Sequence, residues 1–81
     1  MDDYAIRFGA AVAAELRAER AAAGITIAAL ASDAGIPEVT LRRYLKNTRD
    51  LPLPALVALS FALGVNPAII LTRAQERAEQ R

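Results

Sequence analysis

The sequence predicts an all-α fold, a compact arrangement of five helices in one domain over residues 1–81. Three observations predict it. Apolar residues make up 54% of the chain, and alanine, the strongest helix former, supplies much of that share. Apolar residues recur at helical spacing without the alternation of strands. Glycine and proline divide the chain into five segments, and a chain of this length forms one small core.

The first predicted helix spans residues 4–23. Asp2 or Asp3 can cap its N-terminus, and Gly24 can end it. Its apolar stripe, at i, i+4 spacing, consists of Phe8, Val12 and Leu16. Arg17 and Arg20 stand near its end, where the helix dipole favours cations. A structural role and a contact with a phosphate are both open for these two arginines.

The second and third predicted helices lie within residues 26–47 and are joined at a glycine. Thr26 can cap the second helix, and Gly35 supplies the positive φ angle that ends it. Pro37 then stands in the first turn of a third helix over residues 37–47, where proline is best tolerated. Asn47 can end that helix. Two short helices with a glycine turn predict a helix-turn-helix.

The third helix shows two faces when its residues are projected at about 100° each. The packing face consists of Pro37, Leu41, Tyr44 and Leu45. The outer face consists of Val39, Arg42, Arg43 and Lys46. Arginine can bind guanine in the DNA major groove, and a valine methyl can contact the methyl of thymine. The alternative is a solvated charged face, and the turn before the helix favours DNA.

The fourth and fifth helices are predicted over residues 54–63 and 67–80. Pro54 can begin the fourth helix, and Gly64 can end it. The apolar face of the fourth helix is expected to consist of Leu56, Val57, Leu59, Phe61 and Leu63. The fifth helix is apolar at its start and carries charges of alternating sign at its end. This pattern predicts a helix that packs first and then leaves the domain.

Matches to a known family run without a gap from Leu16 to Pro67. They are Leu16-Arg17, Arg20, Gly24-Ile25-Thr26, Leu30-Ala31, Gly35-Ile36, Thr40-Leu41, Leu56, Leu59, Ala62-Leu63-Gly64-Val65 and Pro67. On these residues the chain resembles the lambda-repressor-like helix-turn-helix family (Cro/cI or XRE type) of bacterial and phage regulators. The resemblance implies a five-helix DNA-binding domain in which helices 2 and 3 form the helix-turn-helix.

The chain departs from that family at positions that bear on DNA recognition. Ile27 stands where the family often has a glutamine that contacts a phosphate, so backbone N–H groups and the Thr26 hydroxyl would hold the phosphate. Leu45 stands where many relatives have a glutamate that pairs with the arginine matching Arg20, so Arg20 needs another partner or water. Pro37 and Glu38 replace the usual small and amide residues, which leaves the operator sequence open.

Two sets of DNA contacts are therefore expected. The residues expected to read bases are Glu38, Val39, Arg42 and Arg43. The residues expected to hold phosphates are Thr26, Ile27, Thr40, Lys46, Asn47 and Arg49. The charge distribution agrees, since residues 1–39 carry three cations and six carboxylates, whereas residues 40–50 carry four cations and one carboxylate. Glu38 can instead stabilise the helix by pairing with Arg42, four residues later.

Several classes of function are disfavoured. The chain has no Cys and no His, which removes disulfides, thiol chemistry and the common zinc sites. It also has no glycine-rich phosphate loop and no carboxylate pair with an evident pocket, so on these four grounds together we expect no enzyme. We expect no cofactor and no small-molecule ligand either. The N-terminus opens with two acids, unlike a signal peptide. The uncharged stretch between Asp50 and Arg73 has the length of a membrane helix, but prolines and Gly64 interrupt it.

The predicted function is sequence-specific binding of double-stranded DNA by a transcriptional regulator, a repressor of phage or bacterial origin in the cytoplasm, at the nucleoid. A homodimer is expected through Ile69, Ile70 and Leu71, which surround more than one helix face. The alternative is that all three are core residues. Two other functions remain open. One is an antitoxin whose fifth helix binds a toxin, and the other is a protein-interaction module on the same fold.

Overall fold

The computed structural model describes residues 2–80 and contains, within them, five α-helices and no strand. The helices are α1 (Asp3–Ala23), α2 (Ile27–Ala34), α3 (Glu38–Leu45), α4 (Leu53–Leu63) and α5 (Pro67–Glu79). The radius of gyration is 11.9 Å, close to the value of about 12 Å expected for a compact chain of this length. The predicted all-α, five-helix fold is confirmed.

Three helices begin at a polar side chain that caps their N-terminus. Asp2 caps α1, Thr26 caps α2 and Asn66 caps α5, each accepting a hydrogen bond of 2.8–3.1 Å from a backbone N–H of the first turn. Each cap satisfies a donor that has no partner within the helix. The predicted Thr26 cap is confirmed, and Asp2 rather than Asp3 caps α1.

The two prolines lie one position away from their predicted places in α3 and α4. Pro37 is the N-cap of α3, because its ψ of 139° is extended, and its carbonyl accepts the N–H of Leu41 at 2.9 Å. Pro54 is the second residue of α4, which begins at Leu53. Both positions suit proline, since the N–H groups at a helix start have no intrahelical partner.

The core contains a fully buried aliphatic residue from each helix. These residues are Leu16, Leu30, Leu41, Leu59 and Ile70. Burying each side chain stabilises the fold by about 1.5–3 kcal/mol relative to leaving it in water. Val12 is also buried, and Phe8 packs against the edge of the cluster. The predicted stripe of α1 therefore faces the core, as expected.

The second half of α5 packs along α1, so the prediction that the fifth helix leaves the domain is wrong. Ala74 and Ala78 are buried on the side of α5 that also carries Ile70, and their small side chains allow the two helices to approach closely. Arg73 pairs with Glu19, and Arg77 pairs with Glu15, both across the same contact. The charged residues at the end of α5 therefore form ion pairs with α1.

Large apolar side chains remain exposed on the outer sides of α4 and α5. Phe61 is 73% exposed, so its predicted place on the packing face of α4 is wrong. Phe61 is two positions from Leu59, which points into the core, and two positions turn a helix by about 200°. Among the three residues predicted to form a dimer contact, Ile70 is core, whereas Ile69 and Leu71 are partly exposed. The alternative that all three are core residues is therefore wrong. A dimer contact that includes Ile70 is also excluded, and a contact through Ile69 and Leu71 stays a prediction.

No single helix among residues 2–80 has the length and apolar composition needed to cross a membrane. Helices α4 and α5 pass that test only when taken together, and their axes are bent by 108° at the break between them.

Candidate nucleic-acid interface

The turn between α2 and α3 is built around Gly35, as predicted. Gly35 has a φ of 69°, in the left-handed region that costs glycine little. Its N–H donates to the carbonyl of Ser32 at 3.2 Å, and the next N–H, of Ile36, donates to that of Ala31 at 2.9 Å. These two bonds satisfy carbonyls at the end of α2. Pro37 follows as the N-cap of α3, which begins at Glu38, three residues after Gly35.

Helix α3 buries one face and exposes the other. Leu41, Tyr44 and Leu45 are buried with at most 7% of their surface exposed. Val39 is 61% exposed, and Arg42, Arg43 and Lys46 are exposed as well. The two faces match the helical projection, except that Pro37 is exposed and lies before the helix.

The C-terminus of α3 is closed by Asn47 and by an arginine from α1. Asn47 has a φ of 58°, and its N–H donates to the carbonyl of Tyr44 at 3.1 Å. The N–H of Thr48 donates to the carbonyl of Arg43 at 3.0 Å. These bonds form the capping pattern that usually uses glycine, which asparagine can replace. The Arg17 guanidinium donates to the carbonyl of Leu45, which is the last residue of α3, two positions before the predicted end at residue 47.

The second α1 arginine also finds a backbone partner. Arg20 donates to the carbonyl of Ile25 at 2.9 Å, in the loop before α2. Leu45 supplies no carboxylate to Arg20, and the carbonyl of Ile25 is the partner that the guanidinium finds. The partners of Arg17 and Arg20 are both carbonyl oxygens, which accept a hydrogen bond but carry no full negative charge.

A groove of about 460 Å³ lies where α1, α2 and α3 meet. We call it the cationic groove. It is lined by Arg17, Arg20, Ile27, Arg42, Leu45 and Lys46. Four of these residues are cations and none is a carboxylate. Such a concave, positively charged surface raises the local concentration of anions.

Five of the cations in and around α3 have no carboxylate partner within the described part of the chain. Over residues 2–80, carboxylates pair with Arg7, Arg42, Arg73 and Arg77. In the same range no carboxylate lies within ion-pair distance of Arg17, Arg20, Arg43, Lys46 and Arg49. Each of these five residues belongs to the cationic groove, to α3 or to the segment that follows α3.

Glu38 pairs with Arg42 across one turn of α3. Its carboxylate accepts hydrogen bonds from the Nε and Nη2 atoms of Arg42 at 3.3 and 3.2 Å. The two side chains are 45% and 49% exposed, so the pair contributes only a few tenths of a kcal/mol. In this structure the carboxylate therefore has its helix-stabilising partner.

A family model described as a helix-turn-helix domain matches residues 11–69. The chain belongs to the helix-turn-helix domain family. The match starts within α1 and ends within α5, and it includes the whole of α2, the Gly35 turn and α3. No curated protein and no solved structure matches the chain.

In this helix-turn-helix domain the residues expected to hold phosphates lie in different places. Ile27 and Lys46 line the cationic groove. Thr26 is exposed next to Ile27, and its oxygen already accepts from the N–H of Ala29. Asn47 and Arg49 are exposed beyond the end of α3, and Thr40 is half-buried within it.

From the sequence, Arg17 and Arg20 could have either a structural role or a contact with a phosphate. In the structure each donates to a backbone carbonyl, and each lines the cationic groove. For Arg20 the sequence signal was Leu45, which supplies no carboxylate partner, and for both arginines it was their position near the end of α1. No group of three or more metal-ligating side chains occurs among the residues that the structure describes.

Proposed function

We propose that the chain binds double-stranded DNA sequence-specifically as a transcriptional regulator, a lambda-repressor-like (Cro/cI or XRE type) repressor of phage or bacterial origin, acting at the nucleoid in the cytoplasm. The observation that carries the proposal is the group of five cations without carboxylate partners around α3. Elsewhere in residues 2–80 the arginines are paired. Unpaired cations on one side of a protein are the electrostatic footprint of nucleic-acid binding.

Helix α3 has the dimensions and the side chains for the major groove. Its eight residues make it about 12 Å long, and the major groove of B-DNA is about 12 Å wide. Val39 and Arg43 project from its exposed side, where Val39 can contact a thymine methyl and Arg43 can bind guanine O6 and N7. Arg42 and Glu38 are assigned to bases more weakly, because they already bind each other.

The phosphate contacts follow from the cationic groove. A backbone phosphate that enters it meets Lys46 together with Arg17 and Arg20, whose guanidinium groups are positioned by carbonyls. Ile27, the first residue of α2, also lines the groove, so the positive end of the α2 dipole would favour a phosphate there. Arg49, Asn47 and Thr40 would contact the backbone farther along α3.

A homodimer completes the proposal, because paired half-sites require two reading helices about 34 Å apart. Of the residues first assigned to the dimer contact, Ile69 and Leu71 are 43% and 37% exposed, so they can take part. Ile70 is excluded by its burial.

Selection of bound sequences from random duplex DNA tests the function directly. We expect an enriched motif, bound with an affinity that falls steeply as salt increases. Arg43→Ala should weaken binding to that motif. Arg7→Ala is the matched control, since it removes the same charge from α1, where Arg7 already pairs with Asp3. An equal loss in both variants, or no enrichment at all, would contradict the proposal. A second protein that binds the purified chain tightly in place of DNA would favour the antitoxin or the interaction module.

A further inference from the structure

Helix α4 has no polar side facing solvent. Its sequence, LPALVALSFAL, has one polar residue, Ser60, which is fully buried and donates to the carbonyl of Leu56 at 2.8 Å. Leu53 and Phe61, on the outer side, are 67% and 73% exposed. A helix that is apolar on every side is normally covered on every side. Within residues 2–80, the outer side of α4 stays exposed at Leu53 and Phe61.

The exposed apolar area continues from α4 onto α5. Leu53 and Phe61 are eight residues apart, which places them about 12 Å apart along the helix, and Val57 stands between them on the same side. At the N-terminal end of α4, Leu53 shares a groove of about 350 Å³ with Leu71 of α5. We call Leu53, Val57, Phe61 and Leu71 the α4 surface.

The C-terminal end of the α4 surface combines a projecting ring with a concave site. Beside Phe61 lies a groove of about 500 Å³, lined also by Gly64, Val65, Asn66 and Pro67. A two-fold contact uses the same surface on both copies, so that surface must offer a projection and a cavity that fit each other. Phe61 and its neighbouring groove offer both features, since the side chain is 73% exposed and the groove lies beside it.

Charge also favours a second copy over a charged partner. Residues 51–72 contain no charged residue, so two copies can meet at Phe61 without repulsion between like charges. In the described part of the chain, Asp50, beside Leu53, is the one charged residue that lines either groove. The α4 surface shares no residue with the cationic groove or with the exposed side of α3. The groove beside Phe61 contains none of the proposed DNA contacts, whereas Asn47 lines the groove beside Leu53. A dimer centred on Phe61 therefore leaves the cationic groove and the exposed side of α3 uncovered.

We propose that the α4 surface is the contact between two copies of this chain, related by a two-fold axis, with Phe61 of each copy seated in the groove beside Phe61 of the other. The proposal supplies the surface for the dimer in the proposed function, and it holds in the absence of DNA. It makes Phe61, rather than Ile69, the residue on which dimer affinity depends most.

Sedimentation equilibrium of the full chain without DNA tests this contact. Phe61→Glu and Phe61→Lys should each raise the dimer dissociation constant at least tenfold, because each places a charge in an apolar contact. An equimolar mixture of the two variants should recover most of the lost affinity, since a two-fold axis near Phe61 brings the opposite charges together. Ile6→Glu is the matched control. It adds the same charge at a 56%-exposed apolar residue on α1 and should leave the dimer unchanged.

Thermal unfolding checks that each variant is folded, and Leu53→Glu provides a second test at the other end of the α4 surface. A wild-type chain that stays monomeric at high concentration would overturn the proposal. So would a Phe61→Glu dimer as tight as the Ile6→Glu dimer, or a mixture that gains nothing. Binding to a single half-site separates this inference from the proposed function. Phe61→Glu should retain half-site affinity, and a wild-type chain that dimerises but binds no DNA would contradict the function alone.

Discussion

Arg43 and Lys46 share the exposed side of α3 but differ in chemistry and in position. Arg43 lies within the helix, and its planar guanidinium can bind the O6 and N7 atoms of guanine together. Lys46 is the residue that follows the helix, and it lines the cationic groove with Arg17 and Arg20. Its flexible point charge suits a phosphate. The two residues should therefore affect affinity and specificity differently.

Arg43→Ala should cost about 1–3 kcal/mol on the preferred operator and little on operators mutated at the contacted base pair. Lys46→Ala should weaken binding to all sequences alike and reduce the slope of log affinity against log salt by about one per subunit. Titrations of both variants against every single-base change of the operator, at several salt concentrations, measure these effects. Equal loss on every sequence for Arg43→Ala would make Arg43 another phosphate contact.

Glu38 presents a choice between helix stabilisation and base reading. In the free chain its carboxylate binds Arg42, and in a complex it could instead accept a hydrogen bond from the N4 amino group of cytosine. Glu38→Gln should lower stability by a few tenths of a kcal/mol and change affinity uniformly across operators. Binding measured on all base variants decides the matter, because a loss confined to sites with one particular cytosine would assign Glu38 to base reading.

At the scale of the element, Asn47 combines a structural role with a predicted DNA contact. Its φ of 58° lies in the left-handed region, which glycine adopts with less strain than any other residue. Asn47→Gly should therefore keep or slightly raise the midpoint of thermal unfolding, while Asn47→Ala should lower stability by about 1 kcal/mol. If the Asn47 side chain holds a phosphate, both variants should lose affinity for DNA by the same factor. Undiminished affinity in Asn47→Gly would confine Asn47 to closing α3.

The ends of the helices were predictable because they depend on neighbouring residues. Thr26, Gly35 and Gly64 act on backbone groups within a few positions, so their roles can be read from the sequence. The exposure of Phe61 to solvent was not predictable. Every residue of α4 except Ser60 is apolar, so no polar face indicates which side of the helix lies outside. The partners of Arg17 and Arg20 also escaped prediction, because carbonyls of any residue can accept a guanidinium.

For the whole molecule, the contact between α1 and α5 connects the end of the chain to the helix that supplies Arg17 and Arg20. The sequence pattern predicted that the last turns of α5 leave the domain, because those turns are rich in charged residues. Glu15 and Glu19 on α1 supply complementary charges more than fifty positions away in the sequence. A row of small residues on α5 then allows the charged side chains to reach α1. Long-range pairing of this kind carries no local signal.

The pair between Arg77 and Glu15 should be asymmetric, because its two members differ in burial. The Glu15 side chain is 8% exposed, and the Arg77 side chain is 47% exposed. Arg77→Ala leaves a carboxylate without its partner in a buried site, which should lower the free energy of unfolding by about 1–3 kcal/mol. Glu15→Ala leaves an arginine that can reach water, so it should cost less. Urea unfolding of both single variants and of the double variant measures the difference.

The double variant separates loss of a contact from the cost of a stranded charge. If the stranded carboxylate dominates the cost, adding Glu15→Ala to Arg77→Ala should restore part of the stability. The double variant should then lose less stability than the sum of the two single losses. Arg73→Ala is the control, since its partner Glu19 is more exposed, at 20%, and should tolerate the loss of the arginine better. Equal costs for Arg77→Ala and Arg73→Ala, with strictly additive double variants, would show that burial of Glu15 does not govern how α5 is held against α1.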